Sequence, residues 1–215
     1  MIHILTKQNS IANHFIAELR DRKIQKDRMR FRRNIERLGE VMAYEISKTF
    51  TYAPKEIETP LGVAEVHTLT EQPILVTLIR AGLPFHQGFL NVFDQAESGF
   101  IAAYRHTKKS GEFEIHRQYQ NTPNLDERVV IVSDPMLATG KSLVLCCREL
   151  LSEYNIKELH IASIIASQEG VQHVRAFLPQ AQLWLGDIDN ELTSKSYIVP
   201  GLGDAGDLAY GAKEH

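Results

Sequence analysis

Asp134, Thr139, Gly140 and Ser142 fall close together, directly after the apolar run Val-Val-Ile-Val at 129–132. A short, β-branched, wholly apolar run predicts a central parallel strand covered on both faces. The C-terminal ends of such strands are where open α/β sheets place their ligands. A carboxylate at that point accepts hydrogen bonds from sugar hydroxyls. Thr139, Gly140 and Ser142 add hydroxyls and unpaired backbone N–H groups just before an apolar helix pattern begins at Leu143, and such donors, with the helix dipole, attract phosphate. The predicted chemistry is that of a sugar-phosphate site, with hydroxyls on Asp134 and phosphate on residues 138–142. Gly-Lys-Ser also ends a Walker A loop, but that motif needs a glycine where Pro135 stands, so a nucleoside triphosphatase is excluded on spacing. A purely structural strand-to-helix turn has no need of Asp, Thr, Gly and Ser together.

A second anion site is implied by Arg80-Ala81-Gly82-Leu83, which follows the apolar run 74–79 and precedes Pro84, a residue suited to the first position of a helix. The Arg80 guanidinium can grip phosphate oxygens in a bidentate way, and Gly82 lets a ligand approach the backbone. Arg105 lies two residues past a predicted strand at 100–103 and can reach the same sheet edge. Two arginines and one nest of N–H groups suit a ligand with two phosphate groups. Near the C-terminus, Gly201-Leu-Gly203-Asp-Ala-Gly206 matches G-x-G-x-x-G literally, yet Pro200 precedes it and nine residues follow, too few for a Rossmann βαβ unit. Such a glycine-dense loop instead exposes backbone donors and acceptors to a small planar ring whose edge alternates acceptor, donor, acceptor.

The elements that must position these residues follow from periodicity. Ile11, Ala12, Phe15, Ile16 and Leu19 share one helical face with Ser10 as N-cap, and Phe31, Ile35, Leu38, Met42 and Ile46 share another. Residues 1–50 are therefore expected to be a helical extension of a single domain spanning 1–215. Strands at 74–79, 100–103, 129–133, 159–165 and 183–185 alternate with helices at 84–95, 142–154 and 170–177. The fold class is α/β, an open, mostly parallel sheet with helices on both faces. The polar stretch 106–123, with a turn at Lys108-Lys109-Ser110-Gly111, reads either as a hairpin lid over the site or as a plain surface loop.

Composition excludes more than it selects. With 43% hydrophobic and 24% charged residues and a net charge of −3, the 215-residue chain is an ordinary globular protein. The N-terminus lacks a signal-peptide layout and no apolar run approaches a membrane span, so a cytoplasmic protein is expected. Cys146 and Cys147 have no Cys or His at ligand spacing; they read as buried reduced thiols, and no residue is assigned as a metal ligand. Between Arg20 and Arg37, nine basic residues face three acidic ones. Such a run can touch RNA or a phosphorylated effector, but a solvated face or a subunit contact is the commoner explanation, and nucleic acid is not the expected partner.

From about Ile11 to Lys213 the chain resembles the uracil phosphoribosyltransferase family. The segments that carry the resemblance are Leu19-Arg-Asp21, Ala43-Tyr-Glu45, Arg80-Ala-Gly-Leu83, Tyr104-Arg105, Asp134-Pro-Met-Leu-Ala-Thr-Gly140 and Tyr197-Ile-Val-Pro-Gly-Leu-Gly-Asp-Ala-Gly-Asp207. The resemblance implies a type I phosphoribosyltransferase fold and a reaction of uracil with 5-phosphoribosyl diphosphate (PRPP) to UMP and diphosphate, in pyrimidine salvage. It implies that Arg80 and Arg105 hold the diphosphate and that Asp134, Pro135, Met136, Leu137, Ala138, Thr139, Gly140, Lys141 and Ser142 hold the ribose and its 5-phosphate. Asp204 also contacts PRPP, and Ile198, Gly203, Asp204 and Ala205 bind uracil. Of these, Arg80, Arg105 and Asp134 are the expected catalytic groups. Mg²⁺ usually accompanies PRPP, and some relatives are homo-oligomers, dimers or tetramers, activated by GTP.

Departures from the family pattern matter as well. Lys141 stands where the family commonly has glycine, and a left-handed backbone there would cost about 1–2 kcal/mol. Thr193, Leu208, Tyr210 and Ala212 also differ, and 106–119 departs strongly from the family's lid. Two rival functions fit the same loops: a PRPP-binding regulatory relative that works through RNA bound at 20–37, and a phosphoribosyltransferase for another base.

Overall fold

The computed structural model describes residues 1–107 and 113–212, and of 103–107 and 113–118 the backbone alone. The chain runs through strand β1 (Ile2–Ile4), helices α1 (Ile11–Arg20) and α2 (Arg28–Ser47), and a hairpin of β2 (Tyr52–Thr59) and β3 (Gly62–Leu69). It then alternates β4 (Ile74–Ile79), α3 (Gly82–Val92), β5 (Ser98–Thr107), β6 (Phe113–Asn121), β7 (Val129–Ser133), β8 (Met136–Leu137), α4 (Lys141–Glu153), β9 (Glu158–Ser167), α5 (Gln168–Phe177) and β10 (Gln182–Asp189). Two paired stubs, β11 (Glu191–Leu192) and β12 (Ile198–Val199), and the short helix α6 (Ala205–Tyr210) follow.

The main sheet has the order β1-β10-β9-β7-β4-β5-β6, with β8 pairing β9. Its neighbours are parallel except for β6, which returns antiparallel along β5 with a bulge between Ala102 and Ala103. Period-two alternation divides the strands between two apolar layers. Leu75 and Ile131 face Phe31, Ile35, Leu38, Phe85 and Phe89 of the N-terminal helices and α3. Ile74, Val76, Val130 and Val132 face Leu143, Cys146, Cys147, Val171 and Val174 of α4 and α5. Both cysteines are fully buried and outside any disulfide, and burial pushes the Cys147 thiol well above its ordinary pKa.

Local chemistry fixes the element boundaries. Ser10 Oγ accepts from Ala12 N at 3.3 Å and Asn13 Oδ1 accepts from Ser10 N at 3.2 Å, a reciprocal cap for α1. Asp27 caps α2 through Arg30 N. Helix α3 begins at Gly82, two residues ahead of the expected start at Pro84. Pro84 is tolerated inside the first turn because the N–H it lacks has no intrahelical partner there. Helices α2 and α3 cross at backbone contact: a Cβ on Gly88 would sit 2.0 Å from the Glu36 carbonyl oxygen.

Two expectations change and one element is new. Residues 1–50 are not wholly helical, because β1 is an edge strand of the main sheet, with Ile2 opposite Leu183. His3 on that strand stacks on Trp184 at 3.8 Å, and the Trp184 indole N–H donates to His160 Nδ1 at 3.1 Å. The arms of the expected 106–123 hairpin are full sheet strands, with Thr107 opposite Phe113; the turn at Lys108 to Gly111 lies outside the described residues. The hairpin β2–β3 had no counterpart in the sequence reading. It forms its own two-stranded sheet and leaves Leu61 fully exposed and Val63 69% exposed.

Candidate active site

A cavity of ≈ 170 Å³ opens beyond the C-terminal ends of β4 and β7, and Arg80, Asp134, Ser142 and Asp204 all line it. A smaller one of ≈ 90 Å³ adjoins it, shares Asp134 and Ser142, and is walled by Met136 to Leu143. Three loops far apart in sequence thus meet where strand-end logic puts a ligand.

The loop after β7 is anchored from behind by neutral groups. Ser163 Oγ donates to the Asp134 carbonyl and Ser167 Oγ to the Ala138 carbonyl, each at 2.6 Å. The Pro135 carbonyl accepts from both Ile164 N and Ile165 N at 3.1 Å. Met136 and Leu137 pair with Ile165 and Ala166 as β8. The Leu137 side chain is in the core, so only its backbone faces a ligand. With these carbonyls engaged behind, Thr139, Gly140, Lys141 and Ser142 line the smaller cavity, where Lys141 N donates to Thr139 Oγ1 at 3.5 Å. Gly140 is the N-cap of α4 at φ +72°, a conformation that favours glycine. Lys141 is already the first helical residue and has no positive φ; among the described residues only Glu127 and Ser196 do so without being glycine. The strain cost expected for Lys141 therefore does not arise.

Asp134 stands at the junction of the two cavities. Burial pushes its carboxyl up to about 7, against a partly offsetting hydrogen bond from Met136 N at 3.2 Å. Desolvation dominates because no cation among the described residues offsets it.

Arg80 follows a cis Ile79–Arg80 peptide, and its Nη2 donates to Asp207 Oδ1 at 3.1 Å and to the Gly211 carbonyl at 3.2 Å. Its buried Nε has no acceptor among the described residues, which leaves a donor open to an anion. Arg105 lies on β5, three residues past Ala102, which pairs with Ile79 at the end of β4. Its side chain is outside the described residues.

In the third loop, Asp204 reaches the cavity and caps α6 by accepting from Asp207 N at 2.9 Å. Ile198 and Ala205 turn their side chains into the core, so each has only backbone to offer, and Gly203 is exposed at φ +99°.

Sequence reasoning missed what stands behind this loop. Arg20 Nη1 and Nη2 grip Asp189 Oδ2 and Oδ1 at 2.8 and 2.9 Å, and Nη2 also reaches Asp187 Oδ2 at 2.9 Å. Nη1 further donates to the Gly201 carbonyl at 2.9 Å, while Gly201 N donates to Asp189 Oδ2 at 2.9 Å. Burial opposes the charge on Arg20, yet its bonds to Asp189 and Asp187 hold the guanidinium more firmly protonated than usual. Four more of the nine cations are engaged, while Arg22, Lys23, Lys26 and Arg28 are exposed. Arg30 pairs with Glu18, Arg33 with Glu36, Arg37 with Asn34, and Arg32 donates to the Ala209 carbonyl. Five of the nine cations between Arg20 and Arg37 thus make contacts within the chain.

The model of the family described as uracil phosphoribosyltransferase matches residues 5–212. The chain belongs to that family. It is 52% identical over 214 residues to the uracil phosphoribosyltransferase of Porphyromonas gingivalis, covering 99% of both chains. It is 36% identical over 200 residues to the uracil phosphoribosyltransferase of Thermococcus gammatolerans, covering 92% of this chain and 88% of the other. A solved structure of an Aquifex aeolicus protein superposes with a TM-score of 0.87 at 30% identity, each chain covered completely. As a uracil phosphoribosyltransferase family member, the chain has the mostly parallel sheet expected of it, with helices on both faces.

Proposed function

We propose that the protein transfers the phosphoribosyl group of PRPP to uracil, giving UMP and diphosphate in pyrimidine salvage. The observation that carries this reading is the convergence of Arg80, Asp134, Ser142 and Asp204 on one cavity at the strand ends, in a chain of this family. The 5-phosphate belongs on residues 138–142 at the start of α4. The ribose hydroxyls belong on Asp134, and the diphosphate on the open donor of Arg80 and on Arg105. Uracil belongs on the backbone of Ile198 and of Gly203 to Ala205.

As the bond from C1 to diphosphate lengthens, positive charge grows on the ribose ring and negative charge on the leaving group. Arg80 and Arg105 stabilise the leaving group, while the carboxylate of Asp134 stabilises the ring side once deprotonated; positioning and electrostatics supply the rate. No group of three His, Cys, Asp or Glu side chains suited to a metal exists among the described residues. Asp134 and Asp204 are carboxylates in the cavity lining and would be the protein groups to meet a Mg²⁺ that accompanies PRPP. That ion would offset charge on the diphosphate.

Base choice rests on backbone groups in the third loop. Cytosine carries an amino donor where uracil carries an oxygen, and such a mismatch in a hydrogen-bonding site discriminates by about 10⁴-fold or more. The direct test incubates the protein with PRPP, Mg²⁺ and, in turn, uracil, cytosine, orotate and hypoxanthine. UMP from uracil alone is the expected result. Absence of product with every base, despite PRPP binding, would overturn the reading, and turnover of another base would reassign the substrate.

The hairpin β2–β3 supports a homo-oligomer. An isolated two-stranded hairpin is marginal in water, yet this one exposes Leu61, Val63 and Val66; a second copy of the chain is the occupant that would cover them. Sedimentation should give more than one copy per particle, and Leu61→Asp with Val63→Asp should shift it toward the monomer.

A further inference from the structure

We infer that Arg20 and Asp189 are positioning residues for the uracil site: they set the third loop's backbone and thereby the enzyme's preference for uracil. The inference rests on the proposal that backbone groups of Ile198 and of Gly203 to Ala205 hold the base.

Both polar atoms of Gly201 are captured by one ion pair. Its carbonyl accepts from Arg20 and its N–H donates to Asp189, each at 2.9 Å, while the same two side chains hold each other by a two-pronged contact. Gln25 Nε2 continues the pattern by donating to the Leu202 carbonyl at 3.2 Å. Gly201 sits at φ +55°, and a Cβ there would lie 2.2 Å from the Ile198 carbonyl oxygen, so the turn is also closed sterically. The clamp thus ends one residue before Gly203. Asp189 is only 7% exposed, which keeps its charge out of water and makes its bonds to Arg20 and Gly201 hard to exchange for solvent. A site that recognises its ligand through main-chain groups has no side-chain rotamers with which to adapt, and displacement of such groups by about 1 Å can cost about 100-fold in rate. Asp187 supplies an internal contrast. It accepts from Arg20 and from Thr6 Oγ1 at 2.9 Å but makes no bond to the loop among the described residues.

The test measures KM for uracil, KM for PRPP, kcat and the uracil-to-cytosine preference in Arg20→Lys, Asp189→Asn, Asp187→Asn and Gly203→Val. Bonds to charged partners predict that Arg20→Lys and Asp189→Asn raise KM for uracil by about tenfold or more. KM for PRPP should stay within about twofold, and the preference for uracil should shrink. Asp187→Asn should lower the melting temperature while leaving KM for uracil nearly unchanged, which separates positioning from general support. Should Arg20→Lys fail to fold, Asp189→Asn decides alone, because its amide replaces one of the two accepting oxygens by a donor and so cannot keep all three bonds from Arg20 and Gly201. Unchanged KM for uracil in Arg20→Lys and Asp189→Asn, with a raised value in Gly203→Val, would overturn the inference and leave the base-loop assignment standing. Parallel rises in both KM values would also overturn it. An unchanged value in Gly203→Val would overturn the base-loop assignment itself.

Discussion

The loop expected to take the phosphate and the loop expected to take the base face the same cavity but hang from different supports. Behind residues 134–140 stand two serine hydroxyls of β9 and the backbone of a strand, all neutral and in the middle of the sheet. Behind residues 201–202 stand an arginine and an aspartate from opposite ends of the chain, with a glutamine beside them. Neutral anchoring suits a loop that must receive an anion, since a fixed negative charge behind it would repel the ligand. Charged anchoring suits a loop that must present neutral backbone to a neutral ring. Each support is matched to the charge of the group its loop is proposed to bind.

The contrast can be broken first at Arg80, which serves the phosphate side by chemistry and the base side through Asp207. Arg80→Ala should lower kcat by about 10²–10³-fold, as loss of a donor to developing charge does, with steady-state turnover as the measurement. A smaller loss would show that Arg105 carries the leaving group.

Next come the two glycines at positive φ. Gly140→Ala should lose about 1–2 kcal/mol of stability from backbone conformation alone. Gly201→Ala meets the Ile198 carbonyl as well and should lose more. Urea unfolding ranks the pair. Their KM values should part company, the first rising for PRPP and the second for uracil.

The pH response concerns Asp134. Its carboxyl holds a proton to about 7 when folded, against an ordinary 3.8. Its contribution to stability is therefore fully present below about 3.8 and lost as pH rises through about 7, since the unfolded chain ionises first. Catalysis runs the other way, because ribose hydroxyls and a cation favour the carboxylate. The ratio kcat/KM for PRPP should be half-maximal near pH 7 and level off above it, and Asp134→Asn should remove that limb.

The smallest effect is expected from Ser163→Ala, which unpairs one carbonyl behind the phosphate loop. About 1 kcal/mol of stability should be lost, with KM for PRPP moving more than KM for uracil. Equal movement of both would blur the separation of the two supports.

Much of the phosphate side was legible because its signals are local. An apolar strand, an acid, a glycine and a helix start follow one another within a few residues, and the structure keeps them in that order. The base side was legible only in its front face. Arg20 was lost within a run of nine cations, because its partners Asp187 and Asp189 lie 167 and 169 residues away. Nothing in a charge count distinguishes an arginine that closes such a distance from its solvated neighbours. The hairpin β2–β3 escaped because, Leu69 at its base apart, its residues stay largely exposed, so no alternation marks it. Strand β1 is three residues long and β8 two, below any period that can be read.

The chain holds one tryptophan, and its indole lies between the His3 ring and the His160 nitrogen. Its emission is therefore a gauge of a single place, the join between the edge strand and the sheet. Peeling of residues 2–4 would unstack His3, wet the indole and shift the fluorescence to the red before the rest of the molecule unfolds.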